Sequence, residues 1–250
     1  MKYGIICAMQ EEINLLAADI VAEEKVTIAG RDFYLGNLYG ADVVLVQSRI
    51  GKVAAASTAS TIIDRFCVDQ VIFCGVAGGA DFALDVGDVV IADSLVQHDL
   101  FAGPVHFRIP ILGIAYIPAD KELSDKLQSA VEVYIATDLH KDIPMEHLRK
   151  FRITTPKVAR GTIASGDQFI NDSARTQWLR GQIDNLQCVE MEGAAVAQVC
   201  YEYDLPFAVL RVISDSANED SDVDFDEFVA DAASHFTRGC MKAFLSKNPA

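Results

Sequence analysis

Residues 42–76 have the sequence DVVLVQSRIGKVAAASTASTIIDRFCVDQVIFCGV. The apolar runs at 42–48 and 70–76 are typical of buried strands, and residues 51–66 between them favour a helix rich in small side chains. This stretch therefore predicts a strand, a helix and a second strand in succession. Such an order indicates an α/β fold if it continues in both directions.

The same alternation continues on both sides of this unit. Toward the amino terminus, an apolar run at 2–8 is followed by a helical pattern at 9–19. Toward the carboxyl terminus, strands are predicted at 87–93, 158–164 and 207–213, and helices at 120–135, 172–183, 188–203 and 225–247. The charged stretch 137–150 is predicted to be a surface connection. We expect one α/β domain over residues 1–250, with a mostly parallel or mixed sheet and ligands at the carboxyl ends of its strands.

Composition excludes several classes of function. The chain has 250 residues, 51% of them hydrophobic, with 36 acidic and 21 basic side chains and a formal net charge of −15. This charge predicts neither a nucleic acid nor an anionic membrane surface as partner. No apolar run reaches the roughly 18 residues that span a bilayer. The six cysteines and five histidines show no zinc-binding spacing, so we expect a cytoplasmic protein without a metal site.

The segment CVEMEGAAVAQVC at 188–200 carries two acids, Glu190 and Glu192, in apolar surroundings. Both could be exposed at a helix N-terminus, where the helix dipole favours them. Alternatively, Glu192 could bind the hydroxyl groups of a ligand. The sequence leaves both interpretations open.

The segment FAVLRVISD at 207–215 places Arg211 inside a strand and Asp215 at its carboxyl end. A charged residue inside a strand must be paired or must border a cavity. Arg211 could form a structural ion pair, and Asp215 could cap a helix. Asp215 could equally perform chemistry, because open α/β sheets place their reactive groups at strand ends.

Three weaker signals accompany these acids. Glu12 follows the first strand, where a helix dipole could account for it. The glycine-rich residues 75–79 could let a ligand approach the backbone, although they lack the dinucleotide spacing and the P-loop lysine. Phe169 could be a core residue or could stack on a base. Together these residues suit a polar sugar that carries a flat ring, bound either for catalysis or for recognition alone.

Eight stretches, in order, sharpen this interpretation: MKYGIICAMQEEI from Met1, SRIGKVAAA from Ser48, GVAGG from Gly75, VGDVVIAD from Val86, SGDQFI from Ser165, VEMEGAAVAQVC from Val189, LRVISD from Leu210 and DFDEF from Asp224. With them the chain resembles, nearly end to end, the 5′-methylthioadenosine/S-adenosylhomocysteine nucleosidases of the purine nucleoside phosphorylase/uridine phosphorylase superfamily. The resemblance implies a three-layer α/β sandwich, with a central mixed sheet flanked by helices. It also implies an N-glycosyl hydrolase that releases adenine and a 5-thioribose product, without metal or redox cofactor, as a homodimer.

The resemblance assigns two catalytic residues. Asp215 is expected to protonate N7 of the leaving adenine, with Ser214 holding its orientation. Glu12 is expected to activate the attacking water, and Arg211 to position that water or Glu192. The two acids then divide the work as in glycoside hydrolysis, one protonated and one ionised.

The resemblance also assigns a substrate-binding set. Glu192 is expected to bind the ribose hydroxyls, with the Met191 backbone close by and Glu190 less directly involved. The remaining members are Phe169, which would stack on adenine, Ile170, whose backbone would read its edge, the apolar wall residues Met9, Ile50 and Phe225, and Val76, where the family commonly has a small hydroxyl residue. Arg49 stands where glycine is common. Segment 96–120, which in this family lines the 5′ end of the substrate and contributes to the dimer, diverges except for His98 and Asp99.

Three alternatives follow from these features. A phosphorylase would need cations in the turn at 8–12, but the carboxylates there would repel phosphate. A nucleosidase for another adenine nucleoside, such as 6-amino-6-deoxyfutalosine, fits the divergent segment. A nucleoside-binding sensor without activity should have lost the acid at position 12 or 215, and both acids are present.

Overall fold

The computed structural model describes residues 1–103, 105–110, 112–218 and 221–247. Within these residues the strands are β1 (Lys2–Cys7), β2 (Val21–Ile28), β3 (Arg31–Leu38), β4 (Ala41–Gln47), β5 (Gln70–Gly79), β6 (Val89–Gln97), β7 (Ile117–Pro118), β8 (Val158–Ser165), β9 (Leu186–Glu190) and β10 (Phe207–Asp215). The helices are α1 (Gln10–Asp19), α2 (Lys52–Phe66), α3 (Lys121–Thr137), α4 (Leu139–Asp142), α5 (Met145–Lys150), α6 (Ser173–Gln182), α7 (Gly193–Glu202), α8 (Ser221–Phe228) and α9 (Ser234–Lys247). A π-helical turn, Val229–Ala233, joins α8 to α9.

The predicted strand, helix and strand at 42–76 correspond to β4, α2 and β5. The two strands are parallel but do not pair with each other, because β1 lies between them and pairs with both. Cys7 of β1 is opposite Gln47 of β4, and Ile6 is opposite Phe73 of β5. The helix α2 therefore crosses over β1, which brings the carboxyl ends of all three strands to one edge.

The strands form one mixed sheet that partly closes on itself. Its order is β10-β6-β8-β9-β5-β1-β4-β3-β2, and β10 also pairs with β5. Strands β5, β10, β6, β8 and β9 thus form a closed ring, from which β1, β4, β3 and β2 extend as an open wing. The predicted α/β class and mixed sheet are confirmed, whereas the closure of the ring has no counterpart in the sequence analysis.

Helices cover both faces of the sheet and bury separate hydrophobic cores. On one face, Leu16 of α1, Leu127 of α3 and Phe244 of α9 belong to one cluster. On the other face, Ala59 of α2 and Ala197 of α7 belong to a second cluster. Alanines at this contact let the two helices approach closely. The predicted three layers are therefore present.

Three element predictions differ from the structure. The predicted helix at 188–203 is wrong in its first turns, because β9 continues to Glu190 and α7 begins at Gly193. A short buried apolar run satisfies either pattern, and here pairing with β8 and β5 selects the strand. The charged stretch 137–150 is more than a connection, since it contains α4 and α5 and buries Leu139 and Leu148. The closing helix predicted at 225–247 begins four residues earlier and includes the π-helical turn.

None of the helices in the described part of the chain combines the length and apolar composition needed to cross a membrane. Residues 104 and 111 of the predicted 5′ segment lie outside the described residues.

Candidate active site

A cavity of about 280 Å³ opens where several strands end. Its wall contains residues that follow β1, β4 and β8, together with the carboxyl-terminal parts of β5, β9 and β10. The lining residues are Ala8, Met9, Glu12, Ile50, Val76, Ala77, Gly78, Gln168, Phe169, Ile170, Val189, Glu190, Met191, Glu192, Asp215 and Phe225. All predicted site residues line this cavity except Arg211 and Ser214, which lie behind its wall.

Glu12 is held by backbone N–H groups from two separate segments. Its Oε2 accepts hydrogen bonds from the amides of Ala8 and Met9, both at 2.8 Å, and its Oε1 accepts one from the Val76 amide at 3.0 Å. The side chain is 2% exposed. Burial raises the pKa of Glu12 above its usual value, while nearby Arg211 and the three amides oppose that rise.

Gly75 makes room for this arrangement. A Cβ at position 75 would overlap Oε1 of Glu12 and would lie 2.7 Å from Nη1 of Arg211. The glycine therefore lets a carboxylate and a guanidinium approach the β5 backbone from the same side. The glycines at 75–79 could make room for a ligand, but at position 75 the structure shows that side chains of the protein itself occupy the space.

Arg211 is a buried ion-pair partner. Its Nη2 donates a hydrogen bond to Oε2 of Glu190 and lies 4.0 Å from Oε2 of Glu192. Its Cζ is 4.1 Å from the centroid of the Phe73 ring. Of the two interpretations left open for this arginine, the structure shows the ion pair. Its positive charge lies behind Glu12, Glu190 and Glu192, the three glutamates that line the cavity.

Glu190 uses its carboxylate to shape the turn before α7. It accepts hydrogen bonds from the Ser165 hydroxyl, from Arg211, and from the amides of Glu192 at 3.1 Å and Gly193 at 2.7 Å. Ser165 in turn accepts from the Ala194 amide at 2.7 Å. Ser165 begins the motif SGDQFI, but its role cannot be inferred from that motif alone, because its partner Glu190 is 25 residues away.

Glu192 faces the cavity with one oxygen fixed. Oε1 accepts a hydrogen bond from the Gly51 amide at 2.8 Å. Burial, reinforced by the neighbouring charge of Glu190, raises the pKa of Glu192 to about 8 despite Arg211 and the Gly51 amide. Glu192 directly precedes α7 and Glu190 ends β9, and both are buried, so the interpretation of them as exposed dipole partners is wrong.

Asp215 ends β10 opposite Gly78, at an irregularity in the register. Its Oδ1 accepts from the Ala217 amide at 2.8 Å, and its Oδ2 is 2.8 Å from the Ser214 hydroxyl oxygen. That hydroxyl oxygen is also 3.2 Å from the Ala77 carbonyl oxygen. Because a hydroxyl has one hydrogen, Ser214 can donate to Ala77 and accept from Asp215 when Asp215 is protonated.

Apolar side chains surround the more exposed end of the cavity. Phe169 is 42% exposed, and its ring lies 5.3 Å from that of Phe225, at 72° between the planes. Ile50 is 57% exposed. Buried carboxylates and exposed apolar groups thus occupy different parts of one wall.

Three lining residues were not among the predicted site residues: Ala8, Gln168 and Val189; Ala77 and Gly78 were expected only as part of the glycine-rich segment 75–79. Ala8, Gln168 and Val189 each lie next to a predicted residue, so only the folded backbone could assign them to the wall. Arg49 donates from Nη2 to the Gly30 carbonyl at 2.6 Å, which ties it to the β2–β3 turn. Among the described residues no group of three or more His, Cys, Asp or Glu is arranged to hold a metal ion.

Comparisons with known proteins agree on one family. The sequence pattern of the phosphorylase superfamily matches residues 2–246. The chain is 39% identical over 240 residues to the 5′-methylthioadenosine/S-adenosylhomocysteine nucleosidase of Anoxybacillus flavithermus, covering 94% of each chain. It superposes on the same type of enzyme from Neisseria meningitidis, solved with methylthio-immucillin-A, with a TM-score of 0.84 and 32% identity, covering 98% of this chain and 99% of that one. A futalosine hydrolase of Helicobacter pylori is also similar, with a TM-score of 0.81 and 30% identity over 99% and 98% of the two chains.

Proposed function

This chain belongs to the phosphorylase superfamily, and we propose that it acts there as a 5′-methylthioadenosine/S-adenosylhomocysteine nucleosidase. It is an N-glycosyl hydrolase that releases adenine and the corresponding 5-thioribose product. One observation carries the proposal: two buried carboxylates, Glu12 and Asp215, line the same cavity and are held by different kinds of partner. Such a pair can supply an acid and a base to one bond.

Asp215 serves as the general acid. Cleavage of the N-glycosidic bond leaves its electron pair on adenine, which departs more easily when N7 takes a proton. The contact with Ser214 suits a protonated Asp215, because the hydroxyl can accept from it while donating to Ala77. The proton then moves from Asp215 to N7 as the bond breaks.

Glu12 serves as the general base. Three backbone amides orient its carboxylate, and its raised pKa makes it a better proton acceptor than an ordinary glutamate. Water attacks the anomeric carbon, and its oxygen forms the new bond while Glu12 takes one of its protons. Over the whole reaction, Asp215 loses one proton to adenine and Glu12 gains one from water, so the protons balance.

The remaining residues bind the substrate. Glu192 takes the ribose hydroxyls beside the Met191 backbone, because Oε1 is fixed by Gly51 and the side chain lines the cavity. Glu190 and Arg211 act indirectly, because Glu190 fixes the turn before α7 through the amides of Glu192 and Gly193 and is itself held by Arg211. Adenine stacks on Phe169 and is read by the Ile170 backbone. Apolar side chains pack against the ribose and the alkylthio group: Met9, Ile50, Val76 and Phe225.

We also propose a homodimer in which the partner closes the 5′ end of the pocket. An exposed aromatic group supports this, with Phe101 51% exposed and its ring 4.9 Å from His106. Phe107 links the group to Trp178 at 6.5 Å. We further propose one domain over residues 1–250, since β5 of the ring pairs directly with β1 of the wing. Six unpaired cysteines support a cytoplasmic location.

A second substrate is favoured by one comparison. The similarity to a futalosine hydrolase covers 99% of this chain. A nucleoside with a larger 5′ group, such as 6-amino-6-deoxyfutalosine, would use the same two acids and would differ only at the 5′ end of the cavity.

The decisive experiment is to incubate the purified protein with methylthioadenosine, and in parallel with 6-amino-6-deoxyfutalosine, each with and without phosphate, and to identify the products by chromatography and mass. We expect adenine and free thioribose in both conditions. A thioribose 1-phosphate formed only with phosphate would identify a phosphorylase. Release of adenine from 6-amino-6-deoxyfutalosine alone would select the second substrate, and adenine from neither would contradict the proposal.

A further inference from the structure

Asp99, which lies outside the cavity wall, joins two segments of that wall. Its Oδ1 forms an ion pair with Lys52 Nζ at 2.5 Å, and its Oδ2 accepts from the Asp167 amide at 2.9 Å. The Lys52 amide donates to Oδ1 of Asp167 at 2.8 Å. Lys52, Asp99 and Asp167 therefore form a closed circuit of three contacts, which we call the loop circuit.

The three members of the loop circuit come from three different segments of the chain. Lys52 begins α2 two residues after Ile50, Asp99 follows β6, and Asp167 directly precedes Gln168 and Phe169. On one side the circuit holds the turn that carries Ile50. On the other side it holds the segment that carries Phe169. It thereby determines how far apart these two parts of the wall stand.

The loop circuit also reaches Glu192 through Gly51. The Gly51 amide donates to Oε1 of Glu192, and Gly51 has a φ of +98°, a conformation that favours glycine. A Cβ on Gly51 would lie 3.3 Å from Oδ1 of Asp167, so this turn packs directly against the circuit. A displacement of Lys52 relative to Asp167 would therefore move the amide that orients Glu192.

The ion pair of the loop circuit is better shielded than those on the surface. The side chains of Lys52 and Asp99 are 18% and 20% exposed, whereas Lys25 and Asp32 form a pair that is 51% and 39% exposed. Partial burial raises the pKa of Asp99, but Lys52 and the Asp167 amide outweigh it, and the resulting pKa lies below the usual value. Asp99 is thus ionised at neutral pH and keeps both contacts.

Lys52 links the loop circuit to the helix layer as well. Its Nζ donates to Oε1 of Gln97 at 3.2 Å, and Nε2 of Gln97 donates to Oε1 of Gln198 in α7 at 2.6 Å. Since α7 begins directly after Glu192, the circuit and the Glu192 turn share one support.

We propose that Asp99 is a positioning residue for the reaction. It holds the segment that carries Phe169 and the turn at 50–52, whose Gly51 amide orients Glu192, at the separation that an intact nucleoside requires. This inference rests on the proposed function, which assigns adenine to Phe169 and ribose to Glu192. Because Asp99 does not line the cavity, its loss weakens a ligand that spans both segments more than a ligand that occupies one of them.

The test compares four variants: Asp99→Asn, Lys52→Met, the double variant, and Asp32→Asn as a control in an exposed ion pair of similar length. Calorimetry gives Kd for adenine, which spans one segment, and for methylthio-immucillin-A, which spans both. In Asp99→Asn we expect Kd for the second ligand and KM to rise about tenfold, with Kd for adenine and kcat changing less than about threefold. The control should change neither Kd. The double variant should be no worse than the poorer single variant.

Three results would overturn the inference. Equal weakening of both ligands with a lowered Tm would make Asp99 a purely structural residue, and additive losses in the double variant would show that the two side chains act separately. Kd and KM values for Asp99→Asn that match those of the control would also overturn the inference. If the native protein still releases adenine, the proposed function stands in that case. A native protein that neither releases adenine nor binds methylthio-immucillin-A would instead overturn the proposed function, and this inference with it.

Discussion

At the scale of residues, the acids of the cavity differ in what holds them. Glu12 accepts from three backbone amides, Glu190 from Arg211, a hydroxyl and two backbone amides, and Asp215 from the Ala217 amide with a hydroxyl beside it. Amides and guanidinium favour the ionised carboxylate, whereas a hydroxyl can also accept from a protonated one. These partners explain how similar carboxylates, all buried, can perform different tasks.

Replacing Asp215 by Asn should abolish adenine release without unfolding the protein. The amide oxygen can still accept from Ala217, but the side chain no longer supplies a proton. We expect kcat to fall by about 10²–10⁴, the usual contribution of a general acid. Asp172→Asn, which keeps the cap of α6, is the matched control and should retain activity. Near-normal turnover in the Asp215 variant would contradict the assignment.

Replacing Glu12 by Gln should slow hydrolysis more than it weakens binding. The variant loses the base but keeps the size of the side chain, so we expect kcat to fall about 10²–10⁴-fold. Kd for an unreactive analogue should change by less than about threefold. Glu11→Gln, in the same turn of α1 but exposed, should behave like the native protein. Weaker binding with unchanged kcat would show that Glu12 is only a ligand contact.

At the scale of elements, β5 supports both catalytic acids. Gly75 leaves space for Glu12 and Arg211, the Val76 amide donates to Glu12, and Gly78 lies opposite Asp215. A Cβ at Gly78 would lie 3.0 Å from Oδ1 of Asp215. The small residues at the end of β5 therefore serve side chains that arrive from α1 and β10.

Replacing Gly75 by Ala should damage both activity and stability. The added methyl overlaps Glu12 Oε1 and crowds Arg211 in a tightly packed interior. We expect unfolding free energy to fall by about 1–3 kcal/mol and kcat/KM to fall at least about tenfold. Gly181→Ala provides the control, because a Cβ there meets no heavy atom within 4 Å and a helix favours alanine by up to about 1 kcal/mol. Equal Tm and activity in the two variants would show that the space at Gly75 is not needed.

At the scale of the whole molecule, closure of the strand ring assembles the site. The pairing of β10 with β5 sets Asp215 beside Gly78, and the pairing of β5 with β9 sets Gly78 beside Val189. The same closure buries several carboxylates in a chain of net charge −15. Burying Glu192 with a raised pKa must make stability depend on pH.

The pH dependence can be tested with Glu192→Gln. The folded pKa of about 8 exceeds the usual glutamate value of 4.5, so the folded state holds a proton that the unfolded state releases between these values. The contribution of Glu192 to stability is therefore complete below pH 4.5 and decreases as pH rises toward 8. In chemical denaturation, the free energy of unfolding of Glu192→Gln should rise relative to that of the native protein by about 1 kcal/mol or more between pH 5 and pH 8. Parallel curves would contradict the raised pKa.

The amino-acid sequence by itself determined the order and type of most elements. The patterns at 42–76 predict β4, α2 and β5 because local periodicity reports which side of a segment is buried. Charged side chains in apolar surroundings pointed to Glu192, Arg211 and Asp215, whereas Glu12 and the predicted apolar wall residues were assigned by the resemblance of the motifs to a known family.

Only the tertiary structure decided which of these elements and side chains meet. It selected a strand at Leu186–Glu190 and closed the ring through β10 and β5. It also placed Arg211 behind the cavity wall, where it pairs with Glu190. It also revealed contacts between distant segments, such as Gly51 with Glu192, 141 residues apart. The physical reason is that periodicity describes a residue's neighbours along its own segment, whereas strand pairing and buried charge depend on which segments the whole chain packs together.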